Sequence, residues 1–318
     1  MGEMIVLHEP SESRHGTRPE ERSIEQLLRF GVFVADKPQG PSSHQVSAWV
    51  RDLLKATRAG HAGTLDPRVT GVLPIGLNDA TRALDAMLSG DKEYVGVLQL
   101  HQDVEERKVR EMMERFVGEI YQTPPVRSAV KRERRIRAVY ALEPLEFSGR
   151  LVLFRTRCES GTYIRTLCND IGEALGVGGH MLDLRRTRTA SFEEKDAQSL
   201  LTLKDAYVAW TEDGDEGPLR ALLRPVEALL VHIRKIVIKD TAVDAICHGS
   251  NLAVPGVAKL SQGIKKGELI AVLTAKGEGV AIATAMMTSD EIVVAKSGLA
   301  ADTKRVLMDP GTYPALWK

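Results

Sequence analysis

The chain has 318 residues, 43% of them hydrophobic, and its 43 Lys plus Arg are matched by 43 Asp plus Glu. That hydrophobic content excludes an intrinsically disordered chain, and the zero net charge excludes a globally basic nucleic-acid binder, so any such surface is a local patch. Three cysteines, Cys158, Cys168 and Cys247, without metal-ligand spacing, exclude a disulfide framework and fit reduced, buried thiols in a cytoplasmic setting. The length predicts two domains. No apolar run is long enough to cross a membrane, the polar start carries no signal peptide, and no repeat occurs at solenoid periods.

Residues 1–30 are polar and charged, with a weak apolar patch at Ile24, Leu27 and Leu28. Alone, such a segment would be poorly ordered. Residues 31–35 read as a strand that runs into a turn fixed by Pro38 and Pro41. A helix follows, because Val46, Trp49, Val50, Leu53 and Leu54 recur at helical steps and Ser42 with Gln45 is spaced as a capping box. A second helical pattern, Ala80, Ala83, Leu84, Met87 and Leu88, stops at Gly90. Between the two lie residues 60–76, with four glycines, two prolines, one acid and one histidine. This is a loop with a heavily specified backbone, and such segments carry function. Pro67 biases Asp66 toward extended geometry, so its carboxylate belongs to a shaped loop and not to a helix face. On its own, an Asp before a Pro is a common turn.

Residues 92–100 read as a strand containing Tyr94, and a helix with Val109, Met112, Met113, Phe116 and Val117 on its core face follows. Residues 122–131 are held extended by Pro124 and Pro125. Residues 127–137 carry six cations, Arg127, Lys131, Arg132, Arg134, Arg135 and Arg137, against Glu133 alone. A charge run is commonly a solvated face, but one so one-signed in a neutral chain suits RNA phosphates. A hairpin is predicted over 139–153, turning at Ser148-Gly149-Arg150. Thr162 is placed to cap a helix that buries Ile164, Leu167, Cys168, Ile171 and Leu175. Arg165 stands at the start of that helix, where the dipole disfavours a cation and a partner anion would compensate. Gly178 and Gly179 precede Leu184-Arg185-Arg186 without any nucleotide-cofactor fingerprint. Helices are predicted over 202–210 and 218–230, with an acidic loop over 212–217. Beyond 230, short β runs at 235–238, 269–274, 280–285 and 304–308, one helix at 241–247 and several glycine turns suggest a compact barrel.

Gly-His-Ala-Gly-Thr-Leu-Asp-Pro at residues 60–67, followed by Gly-Val-Leu-Pro-Ile at 71–75, resembles the active-site motif of the TruB/dyskerin family of RNA pseudouridine synthases. Lys37-Pro38-Gln39-Gly40 with the pair Ser42-Ser43, the stretch 122–131, and 157–167 around Arg165 resemble further motifs of that family. Residues 249–257, with Lys266-Gly267-Glu268, resemble the PUA RNA-binding module. The resemblance extends over about residues 31–308.

The resemblance implies an α+β fold, with a mixed, mainly antiparallel sheet flanked by helices and a small C-terminal β-barrel PUA domain. It divides the chain into an N-terminal extension (1–30) packing on the accessory domain, a catalytic domain (31–230), the PUA domain (231–309) and a tail (310–318). It makes Asp66 the catalytic carboxylate, Arg165 the partner that favours its ionised form, and Tyr94 the ring that stacks on the target base. His61, Leu184, Arg186 and Lys37 are substrate-binding candidates. His61 would help flip the nucleotide, and Leu184 with Leu73 would form apolar walls. Each has a plainer reading: a strand aromatic, a loop histidine, a core leucine, a turn lysine. Arg127, Lys131, Arg132, Arg134 and Arg135 would contact RNA. Isomerising uridine to pseudouridine needs no cofactor and no metal. The N-terminal extension, the Ser128-Ala129-Val130-Lys131-Arg132 string and the Gly176 to Met181 string fit the archaeal H/ACA type. There the expected partners are guide RNA, substrate RNA (rRNA or tRNA) and Gar-type, Nop-type and L7Ae-type small proteins, with no membrane. The alternatives are a stand-alone TruB-like tRNA enzyme and a non-catalytic guide-RNA scaffold.

Overall fold

The structure, a computed structural model, describes residues 4–9, 13–124 and 133–315. Among these residues the strands form two sheets. The larger is built from β2 (Gly31–Lys37), β3 (Ala59–His61), β4 (Thr70–Leu77), β5 (Lys92–Leu100), β6 (Gly118–Gln122), β7 (Arg135–Ser148), β8 (Leu151–Cys158), β9 (Gly179–Thr189), β10 (Phe192–Glu193) and β11 (Leu223–Pro225). Its order is β11-β2-β4-β9-β5-β8-β7-β6, with β3 on β4 and β10 on β9. All pairs are antiparallel except β4 with β9, where Gly71 stands opposite Arg186. The smaller sheet joins β1 (Met4–Val6) to β12 (Arg234–Ile238), β13 (Leu252–Ala253), β14 (Val257–Ser261), β15 (Leu269–Leu273), β16 (Gly279–Ala285) and β17 (Leu299–Val306). The architecture is thus α+β, with a mainly antiparallel mixed sheet and a C-terminal β module, as expected.

Helix starts are written locally. Ser23/Gln26 and Ser42/Gln45 form reciprocal capping boxes for α1 (Ile24–Phe30) and α2 (Ser43–Leu53). Helix α2 buries Val46 and Val50 in a core shared with Phe33, Leu73 and Ile75. Helix α3 (Glu106–Glu114) buries Val109 and Met113 on the β5–β8–β7 face, while Val117 lies outside it and is exposed. In the small sheet the pleat divides the strands by period two. Ile270 and Val272 face the module's own core, whereas Ala271 and Leu273 join Val226, Leu229 and Leu230 in a core shared with the large sheet.

Five expectations about the elements fail for physical reasons. The stretch 60–76, read as one loop, begins in β3 and ends in β4, whose residues pair with β2 and β9, so the loop is confined to 62–69. The segment predicted as a helix over 80–88 is a 3-10 helix, Asn78–Ser89. Its buried alanines, Ala80, Ala83 and Ala86, recur every third residue, which suits three residues per turn. Thr162 does not cap α4 (Ile164–Ala174), because its hydroxyl donates back to the Glu159 carbonyl and the N-cap is Tyr163. The helix predicted over 218–230 breaks into α6 (Gly217–Leu222), strand β11 and a 3-10 turn. Pro225 lacks the N–H that a continuous helix would need. The acidic loop is shorter than expected, since a π turn, Ala209–Asp213, extends α5 (Leu200–Val208) before Gly214.

Both chain ends meet at one carboxylate. Strand β1 adds to the outer edge of β14, Met4 opposite Ser261. Glu278, only 3% exposed, accepts from the Thr17 amide at 2.9 Å, the Thr274 hydroxyl at 2.9 Å and the Tyr313 hydroxyl at 2.6 Å.

Candidate active site

The loop between β3 and β4 carries Asp66. Leu65 and Val69, on either side of it, are buried against Tyr94, Ile164 and Leu184, which pins the loop down and leaves Asp66 facing outward. The turn after β2 holds it from behind. The Ser43 hydroxyl donates to the Leu65 carbonyl at 3.0 Å and accepts from the Leu65 amide at 2.8 Å. The Gly40 amide donates to the Pro67 carbonyl at 2.8 Å. The Lys37 ammonium donates to the carbonyls of Pro38 (2.9 Å), Pro67 (3.1 Å) and Val69 (2.8 Å).

Lys37 was expected to bind substrate, and that expectation is corrected. Its side chain is fully buried and all three donors are taken, so it has none left for RNA. Burial, and then the charge of Arg186, push its pKa down. Leu73 is also corrected, because it packs under α2 and not beside Leu184.

Helix α4 supplies the partner of Asp66. Ile164, Leu167, Cys168 and Ile171 bury its inner face, which turns Arg165 outward, and Arg165 Nη2 donates to Asp66 Oδ2. The two side chains are 49% and 53% exposed, an open pair suited to a macromolecule. Two shallow, open cavities of about 460 and 580 Å³ lie elsewhere, along the junction of the two sheets. The start of α4 is fixed by Gln122, which brackets Tyr163: its Oε1 accepts from the Tyr163 amide at 2.9 Å and its Nε2 donates to the Tyr163 carbonyl at 3.1 Å.

Behind the loop lies a cluster centred on Arg186. Its cross-strand neighbours are Gly71 on β4 and Tyr94 on β5. Gly71 has a φ of 103°, and a Cβ there would stand 2.2 Å from the Arg186 carbonyl, so only glycine fits. Arg186 is 1% exposed and its Nε donates to the Val72 carbonyl at 2.8 Å. Lys92, also buried, donates to the carbonyls of Met87 (2.9 Å) and Gly90 (2.7 Å). Burial, helped by the nearby Arg186 charge, pushes Lys92 down to about 8. The His61 ring lies tilted against that of His44, with centroids 4.7 Å apart, and has no hydrogen-bond partner at either ring nitrogen. Burial, His44 and Arg186 push it down to about 4, which keeps it neutral. Tyr94 is almost wholly buried, and burial pushes its hydroxyl up.

This geometry agrees with the comparisons with known proteins. Residues 51–164 match the TruB family pseudouridylate synthase N-terminal domain, and residues 165–231 match the tRNA pseudouridylate synthase B C-terminal domain. A PUA domain matches residues 234–307 and a DKCLD (NUC011) domain residues 3–47. The probable tRNA pseudouridine synthase B of Methanocaldococcus jannaschii is 52% identical over 99% of this chain and 95% of its own. That of Archaeoglobus fulgidus is 51% identical over 97% and 95%. This chain belongs to the TruB family of pseudouridine synthases.

Membership makes it an RNA isomerase. Among solved structures, a chain of a Cbf5-Nop10-Gar1 complex is 49% identical, covers 99% of this chain and 96% of that one, and superposes with a TM-score of 0.95. A chain of an H/ACA RNP bound to a substrate RNA containing 2'-deoxyuridine is 47% identical, with coverages of 100% and 98% and a TM-score of 0.93. On this pseudouridine synthase fold, Asp66, Arg165, Tyr94, His61, Leu184 and Arg186 gather round one loop. Leu184 is a buried wall beside Tyr94, with room made by Gly96, where a Cβ would stand 2.8 Å from Leu184 Cδ1. Of the basic run, Arg127, Lys131 and Arg132 lie outside the described residues. Arg134 is exposed and stacks over Tyr121 at 4.2 Å, at the outer strand β6. Arg135 opens β7, opposite Gln122. Sequence reasoning missed Ser43 and Gln122 as supports. The first was read only as part of a helix start, the second only as part of an extended segment, since their partners lie 22 and 41 residues away.

Proposed function

We propose that this pseudouridine synthase isomerises uridine in RNA at Asp66, as the catalytic subunit of an H/ACA ribonucleoprotein in which a guide RNA selects the target. The observation that carries the reading is the Asp66–Arg165 pair. It is an open carboxylate on a loop clamped by Lys37, Gly40 and Ser43, next to the aromatic Tyr94.

In the reaction the N-glycosidic bond breaks, the uracil turns, its C5 bonds to the sugar carbon and the C5 proton leaves. Asp66 serves it by attacking the sugar or by taking a sugar proton; both roles require a positioned, ionised carboxylate. Arg165 orients that carboxylate. Tyr94 gives the extruded base a flat face, and Leu184 helps exclude water while the free uracil turns. His61, neutral and behind the loop, helps position the flipped nucleotide through the loop that it underlies. Arg134 and Arg135, with the cations preceding them, contact RNA phosphates. The N-terminal extension, residues 1–30, belongs to the RNA-anchoring side of the molecule with the PUA module, residues 231–309; the catalytic domain is 31–230 and the tail 310–318.

The likeness to chains solved with Nop10, Gar1 and substrate RNA supports Nop-type and Gar-type partners. An L7Ae-type protein on the guide RNA, and rRNA or tRNA as substrate, complete the proposal. The names of the sequence relatives favour a second reading, guide-independent action on tRNA. The deciding experiment measures pseudouridine in a matched target with guide RNA and partner proteins, and in tRNA alone. Guide-dependent product is expected, and Asp66→Ala abolishes it while guide-RNA binding stays near wild type. Product from Asp66→Ala would remove the catalytic assignment. Product from tRNA alone would replace the guided reading.

A further inference from the structure

Among the described residues, five buried side-chain nitrogen or oxygen atoms lack a hydrogen-bond partner, and three of them sit together behind the Asp66 loop: Arg186 Nη2 and both ring nitrogens of His61. The Arg186 guanidinium is committed on its other sides. Nε donates to Val72, Nη1 faces Gly63, where a Cβ would stand 3.2 Å away, and the Tyr94 hydroxyl shares a hydrogen bond with the group, which leaves Nη2 without a partner. No carboxylate among the described residues forms an ion pair with it. A guanidinium proton without an acceptor is costly in a protein interior, and such atoms mark places that a ligand completes.

We propose that Arg186 reads the target base: when uracil stacks on Tyr94, Arg186 Nη2 donates a hydrogen bond to one of its carbonyl oxygens. This rests on the reading of Tyr94 as the stacking face. Tyr94 and Arg186 are directly opposed on β5 and β9, and the Tyr94 hydroxyl lies against the guanidinium. A base on that ring lies beside the guanidinium, and the proposed hydrogen bond sets one of its edges at Nη2. Uracil presents carbonyl acceptors at positions 2 and 4. Cytosine carries an amino donor at position 4, which would meet another donor. A directional bond of this kind also retains the uracil after its bond to the sugar breaks. The competing role is bracing, in which Arg186 only holds β4, β9 and the loop together.

The two roles separate in a chemical double cycle. The reconstituted guided complex is given targets with uridine, 2-thiouridine or 4-thiouridine, each tritiated at C5, and single-turnover tritium release is measured for wild type, Arg186→Gln and Arg186→Lys. A thiocarbonyl accepts hydrogen bonds poorly. Wild type is expected to slow by about 10- to 100-fold on one of the thio targets, and that target identifies the oxygen. Arg186→Gln is expected to slow on uridine by a similar factor and to lose little more on that same thio target. Losses that simply multiply would show bracing and overturn the proposal. So would a wild-type enzyme indifferent to both thio positions, an outcome that needs no variant to fold. Arg186→Lys keeps a donor and should retain part of the thio sensitivity; none at all counts against the proposal. Absence of guided wild-type activity on plain uridine would instead defeat the enclosing function, which makes the two failures distinct.

Discussion

On the solvent side of the Asp66 loop, one ion pair stands with about half of each side chain in water. On its buried side, Lys37, Lys92 and Arg186 are within a few per cent of full burial and are bonded to main-chain carbonyls. The charges differ as well as the burial. The open side offers a carboxylate with one cation, while the closed side holds three cations with no buried carboxylate beside them among the described residues. The difference teaches that the reactive group and the scaffold divide the labour. Asp66 is free to meet RNA because the order of its loop is specified from behind. Changes at the buried clamp, Lys37 and Ser43, should therefore register first as lost stability, and changes on the open side as lost activity; Arg186, buried but turned to the base, should register in activity as well.

The largest expected effect on stability comes from Lys37→Met. It removes one ammonium and leaves three carbonyls without their donor, at a cost of about 3 kcal/mol in chemical denaturation. A loss below about 1 kcal/mol would mean that the clamp is not what holds the loop. Next is pH. His61 binds a proton only near pH 4 when folded, but at its ordinary 6.5 when unfolded, so the unfolded chain takes the proton first as pH falls. Stability present above pH 6.5 should decline toward pH 4, by at most about 3 kcal/mol from this group. His61→Gln should flatten that part of the profile, and an unchanged slope would place the titration elsewhere.

Ser43→Ala takes away both bonds to Leu65 and should cost about 1–2 kcal/mol, with guided activity falling in step as the loop loosens. The smallest effect on stability, within about 1 kcal/mol, is expected for Arg165→Gln, because half-exposed pairs contribute little. Its product formation should nonetheless fall by about a hundredfold or more, since it positions the reacting carboxylate. If Arg165→Gln instead lowers stability and activity together, the contrast between the two sides fails.

The open side was legible in the sequence. Taken alone, Asp66 before a proline is a common turn and Arg165 a cation at the wrong end of a helix dipole; the motifs around them, at 60–67 and 157–167, are what joined them into the pair that the structure forms. The capping box at Ser42 and the strand holding Tyr94 were legible too, since both are written over a few neighbouring residues. The closed side was not. Nothing local in Lys37-Pro38 says that the ammonium will find carbonyls some 30 residues onward. Thr162 shows the opposite error: a good capping residue whose hydroxyl had a nearer carbonyl to serve. The alanine spacing at Ala80, Ala83 and Ala86 fits both helix types, and only the seat it packs into selects the tighter one. Strand β1 was invisible because three residues carry little pattern, and its partner is more than 250 positions away.

That last pairing has a consequence for how the molecule is made. Met4 to Val6 are synthesised some 250 residues before the strand edge that receives them, Val257 to Ser261. The same holds for Thr17, whose acceptor Glu278 also awaits Tyr313 near the far end. The catalytic sheet can form while both are still waiting. Docking of residues 4–17 on the β module therefore joins segments more than 250 positions apart, and contacts between residues so distant in sequence form slowly.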